Sequence, residues 1–152
     1  MPMPMMMTTT ALPRAEEPWR PIAYITLQDA GVRARLARAL ERAGWAVTVL
    51  PTGFHLIQAI AGLIEGRRPC LRPGLIVIDV RSRGCAGSAI AAGLRDLGIT
   101  IPIALVAAPG EEIPVLADDT LRVIDAASAE QAVTHLANRL LQSAAQQPPP
   151  AM

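Results

Sequence analysis

Few side chains in this sequence have the type and position to do chemistry. Three aspartates, Asp29, Asp79 and Asp125, stand in or just after the short apolar runs IAYITL, LIVIDV and LRVI. Cys70 and Cys85 lie in unrelated settings without metal-ligand spacing, and His55 and His135 are isolated. Cys85 would be reactive only with a lowered thiol pKa, for which Arg81 and Arg83 are the sole nearby cause. The sequence shows no Gly-rich phosphate loop, no metal cluster and no nucleophile–base pair. All 14 basic residues are arginine; lysine is absent. The chemistry on offer is therefore that of carboxylates at strand ends.

The elements that would position them alternate. Ile22 to Leu27 reads as a first strand and Trp45 to Leu50 as a second. Leu75 to Val80, continuously apolar, reads as a central parallel strand. Ile103 to Ala107 makes a fourth strand and Leu121 to Ile124 a short fifth. Helical periodicity fills the gaps. Val32, Leu36, Ala39, Leu40 and Ala43 form one stripe, and Gly44 stops that helix. Phe54 to Glu65, Ser88 to Leu97 and Ala129 to Leu141 follow, the last with Val133, Leu136 and Leu140 facing inward.

Strands alternating with helices call for a parallel sheet covered on both faces. Five strands favour the flavodoxin-like order 2-1-3-4-5, with chemistry at the carboxyl ends of the strands. Those ends offer Gln28 and Asp29, then Asp79, then Ala107 and Ala108, then Asp125.

Composition bounds the rest. The chain of 152 residues suits one domain, whose core must come from Leu, Ile, Val and Ala because aromatics make up 3%. A net charge of +1 gives no broad field for nucleic acid or an acidic membrane. No apolar run approaches the roughly 20 residues of a membrane span, and MPMPMMMTTT lacks the flanks of a secretory signal. A soluble, cytoplasmic protein is expected. Residues 1–20 read as a flexible arm, 21–141 as the domain, and 142–152 as a Pro-rich tail that cannot extend a helix.

Three stretches resemble response-regulator receiver domains. DAGVRARLARALERAGWAV is similar to the family's first-helix segment, and PGLIVIDVRSRGCAG to its third strand and following loop, which runs on to a Gly. ITIPIALVAA is similar to its fourth strand. The resemblance spans residues 21–141 and implies a receiver-like sheet. It places Asp79 at the phosphoacceptor position. The family's metal-holding acidic pair falls on Leu27 and Gln28, with Asp29 one step beyond, its fourth-strand hydroxyl on Ala107, and its fifth-strand Lys on Asp125. The span from Ala108 to Asp125, interrupted by Pro109 and Pro114, implies a shortened or irregular fourth helix.

These departures matter because phosphoryl transfer to a carboxylate needs its charge neutralised by Mg²⁺ and a fixed cation. Mg²⁺ wants one or two carboxylates beside the phosphate oxygens. Asp79 beside Leu27 and Gln28 is a poor site, Asp125 would repel a phosphoryl group, and Ala107 has no hydroxyl to report one. No cofactor is expected, Mg²⁺ included.

The expectation is a non-enzymatic pseudo-receiver that works as a protein-interaction module. Its partner would be a signalling protein such as a histidine kinase or regulator, or a second copy of itself. The alternative is a degenerate receiver still phosphorylated on Asp79; an enzyme or small-ligand binder using the same sheet edge is the third class. DNA output is not expected, since no helix-turn-helix follows the domain. Candidate contact residues are Arg35, Arg38 and Arg42 along the first helix, and Leu56, Ile60 and Leu63 on the broad apolar side of the second.

Overall fold

A computed structural model describes residues 20–65, 73–82, 85–108 and 120–146. Five parallel strands form one sheet: β1 Ile22–Thr26, β2 Ala46–Val49, β3 Leu75–Asp79, β4 Ile103–Ala107 and β5 Leu121–Asp125. The spatial order is β2-β1-β3-β4-β5, the flavodoxin-like arrangement expected from the sequence. In register, Ala23 lies beside Leu75, Ile76 beside Ile103, and Ile103 beside Leu121.

Side-chain alternation explains why the central strands read as unbroken apolar runs. Ala23, Ile25, Leu27, Leu75 and Val77 point to one face, under α1 (Ala30–Arg42) and α4 (Ala129–Gln146). Tyr24, Ile76, Ile78, Ile103 and Leu105 point to the other, under α2 (Gly53–Ile64) and α3 (Gly87–Asp96). A strand buried on both sides leaves little room for polar positions, and among the described residues Thr26 of β1 is the buried exception. Leu36 and Leu40 of α1 and Val133 of α4 are fully buried on the first face. Each is worth about 1.5–3 kcal/mol of transfer free energy.

Helix boundaries follow local chemistry. Asp29 caps α1, its Oδ1 accepting the Val32 N–H at 3.0 Å, and Thr52 caps α2 through the His55 N–H at 3.3 Å. Gly44 (φ 101°) and Gly98 (φ 79°) take the left-handed conformation just past α1 and α3, where a Cβ would be strained. Trp45, almost fully buried, then packs against Gly74 and closes the lower end of the first face.

Two boundaries differ from the expectation. The last helix continues to Gln146, five residues beyond the expected end at Leu141. Gln142 to Gln146 are helix-compatible residues, and the first proline comes only at Pro148. After β3 the chain also makes a small antiparallel bridge, Arg81–Ser82 against Cys85–Ala86. The N-terminal arm, the irregular fourth helix expected between β4 and β5, Cys70, Arg83, Pro109 and Pro114 lie outside the described residues.

Candidate functional site

The sheet delivers the predicted residues to one edge. Asp79 is the last residue of β3, Ala107 the last of β4 and Asp125 the last of β5. Asp79 pairs with Val106, one residue before Ala107, and Ala107 pairs with Asp125. Leu27 and Gln28 follow β1 immediately, beside β3. All five therefore line the carboxyl edge of the sheet.

What each side chain does there is specific. The half-buried Asp79 carboxylate accepts the backbone N–H of Gln28 through Oδ2 at 2.7 Å. The Gln28 side chain reaches past it, Nε2 donating to the Arg81 carbonyl at 3.2 Å. Leu27 is 2% exposed and packs into the α1/α4 core, while its carbonyl accepts from Arg33 Nη1 at 2.9 Å. Asp29 directs Oδ1 to the helix cap rather than to the sheet edge.

On the far side of the edge, Ala107 is buried and presents only a methyl group. Asp125 is exposed, and its Oδ1 accepts the Ala127 N–H at 3.2 Å, capping the 3₁₀ turn Ala126–Ser128. Two of the three aspartates singled out from the sequence thus serve as turn and helix caps. Asp79 is the carboxylate that sits at the centre of the edge.

One residue that anchors the site carried a weaker signal. Gly87 opens α3 directly against Asp79: a Cβ there would lie 2.0 Å from the Asp79 carbonyl oxygen and 3.3 Å from the Leu105 side chain. Its N–H donates to the Val80 carbonyl at 2.9 Å. Glycine is required because two backbones touch, not because the chain turns. The run from Asp79 on to a Gly was visible in the sequence; the closeness of the contact was not.

The docking candidates separate into two groups. Arg35, Arg38 and Arg42 are all exposed on α1. Arg35 makes an ion pair with Glu130 of α4 at 3.8 Å, and Arg42 lines an open groove of about 660 Å³ between α1 and α4 with Glu130 and His135. Leu56 and Ile60, by contrast, are 0% and 3% exposed. They are core residues facing the sheet, and Leu63 is half-buried against the same cluster, so the expectation of a contact surface there is corrected. The exposed apolar residues of α2 are its neighbours Phe54, Ile57 and Ile64. The broad apolar stripe of α2 divides, its inner half packing on the core and its outer half remaining exposed. Moreover, α1 and α2 cover opposite faces of the sheet, so the two candidate surfaces are not one region.

Strand order and parallel pairing make this a flavodoxin-like sheet, a fold that response-regulator receiver domains share. Solved receiver structures are similar to this chain over most of its length. The receiver domain of a Francisella response regulator matches with a TM-score of 0.65 and 17% identity, covering 82% of this chain and 99% of that one. A response regulator receiver domain protein from Bacillus halodurans matches at 0.59 and 12%, covering 78% and 96%. The N-terminal domain of a response regulator/sensory box/GGDEF three-domain protein from Carboxydothermus hydrogenoformans matches at 0.57 and 18%, covering 82% and 99%. No family model and no curated protein matches in sequence. Among the described residues no helix is long and apolar enough to cross a membrane.

Proposed function

We propose that this chain is a pseudo-receiver: a cytoplasmic, non-enzymatic interaction module that binds a signalling protein without a phosphorylation switch. The observation that carries the reading is the surroundings of Asp79. Leu27 is buried, Gln28 contributes its backbone N–H to Asp79 and its side chain to Arg81, and Asp29 caps α1. A phosphoryl group arriving at Asp79 would need its charge neutralised. The nearest edge positions supply a methyl group at Ala107 and another carboxylate at Asp125, and no lysine exists in the chain to replace either.

The same residues do not fit Mg²⁺. That ion demands near-octahedral oxygen ligation and gives up its waters reluctantly. Here one oxygen of Asp79 accepts an N–H, and the two positions before Asp29 carry no charge. No step of the proposed function runs through a metal.

Partner binding falls instead to a surface that is always available. The exposed Arg35, Arg38 and Arg42 beside the α1/α4 groove suit an acidic face on a histidine kinase or another regulator. The alternative, phosphorylation of Asp79 in a degenerate receiver, draws on the retention of that aspartate at the strand end. It gives opposite results in the experiments below.

Metal titration tests the reading first. Millimolar Mg²⁺ should leave the melting temperature unchanged, because only binding to the folded state can raise it. Asp29→Ala should lower stability by about 1 kcal/mol through loss of the cap, equally in Mg²⁺ and in EDTA. A rise of several degrees in Mg²⁺ that Asp29→Ala abolishes would place Asp29 in a metal site and overturn the reading.

A further inference from the structure

On the face opposite the arginines, α2 and α3 leave an apolar groove of about 250 Å³. Ile57, Ile64 and Leu97 wall it, and the small residues Ala61, Ala89 and Gly93 lie between them. A Cβ built on Gly93 would meet nothing within 4 Å. Phe54 of α2 is 58% exposed, Ile57 42%, Ile64 57% and Leu97 67%, so large apolar side chains project beside a recess floored by the buried Ile60, Ile90 and Leu94.

We infer that this face closes against a second copy of the chain, packed antiparallel across a two-fold axis. An isologous contact requires one patch to supply both projection and recess, and this patch has both. Charge fits the same occupant. No residue from Gly53 to Ile64 is charged, and Arg95 of α3 is tied to the Ile99 and Ile101 carbonyls and to Thr120. The groove itself is therefore free of side-chain charge among the described residues, and an uncharged patch suits the same uncharged patch on a second copy. The four exposed side chains present about 400 Å², at roughly 200 Å² for a large side chain. That is about half of the ~800 Å² each partner buries in a standard interface, so the dimer is weak. The inference does not depend on the pseudo-receiver reading, because the arginines and Asp79 take no part in it.

Sedimentation equilibrium of the full chain from about 1 μM to about 500 μM tests it. Wild type should follow a monomer–dimer equilibrium with a Kd on the order of 10–100 μM. Ile57→Glu with Ile64→Glu should be monomeric throughout. Gly93→Gln fills the recess from an exposed helix position and keeps the fold, so it gives the same readout should the double variant unfold. It should raise Kd at least tenfold, whereas Arg42→Glu should leave Kd unchanged. Wild type that stays monomeric at the highest concentration overturns the inference, as does a dimer indifferent to Gly93→Gln. Dimerisation that appears only after deletion of residues 2–19 would also overturn it, by making the amino-terminal arm the occupant of the groove.

Discussion

Replacing Arg35, Arg38 and Arg42 together by Glu is expected to weaken partner binding well over tenfold while the domain stays folded. All three side chains are exposed, and the core stripe of α1 runs through Leu36, Ala39 and Leu40 instead. Their loss costs the domain little. The Arg35–Glu130 pair spans 3.8 Å between side chains 60% and 46% exposed, and a pair so wet contributes at most a few tenths of a kcal/mol. Arg42 sits in the last turn of α1, where an acidic replacement costs a similar amount. Binding is another matter, because each reversal removes an attraction and installs a repulsion. Three such changes, at about 1 kcal/mol each where attraction becomes repulsion, exceed the ~1.4 kcal/mol of one decade. Wild-type binding should also weaken as salt shortens the screening length below the ~8 Å of physiological buffer. Capture from cell lysate, followed by titration of the captured protein, measures both effects, and Asp79→Asn should bind like wild type. A folded triple variant that holds the same partners as wild type would remove the arginine surface from the account.

Gly87→Ala is expected to destabilise the domain by about 3 kcal/mol, the upper end of what overpacking costs. The new Cβ would sit 2.0 Å from the Asp79 carbonyl oxygen, with backbone on one side and Leu105 on the other. The Gly87 N–H is held by Val80, so α3 cannot back away without breaking that bond. Gly93→Ala supplies the contrast within the same helix. Its Cβ meets open space, and removing a helical glycine should stabilise by up to about 1 kcal/mol. Urea denaturation of both variants measures the difference. Equal midpoints would mean that α3 does not start against the Asp79 backbone.

These two glycines mark the limit of what the sequence discloses. Strand order and the placing of Asp79, Ala107 and Asp125 at one edge were legible, because period-2 burial and parallel crossovers leave few arrangements. Side-chain direction was not. Asp29 and Asp125 carry the same charge as Asp79 and lie close to the sheet edge, but an N–H at the start of a helix or turn is a nearer donor for their carboxylates. Only backbone geometry decides that competition. The wide apolar stripe of α2 likewise told that Leu56, Ile57, Ile60 and Ile64 are apolar, without telling which half faces the sheet. Leu56 and Ile60 went inward, and Ile57 and Ile64 remained for solvent or a partner. The extension of α4 to Gln146 was hidden by a tail read as a unit with its prolines, which begin two residues later.

Intact-mass measurement after incubation with acetyl phosphate and Mg²⁺ tests the pseudo-receiver reading most directly. Asp79 has its Oδ2 on the Gln28 N–H, a buried Leu27 beside it, and Asp125 rather than a cation at the end of β5. Such a site should not stabilise a phosphoaspartate, so treatment should add no phosphoryl increment to the mass of the wild-type chain, as it adds none to Asp79→Asn. A substantial fraction carrying the phosphoryl increment in wild type, and none in Asp79→Asn, would contradict the account and make this chain a phosphorylatable receiver.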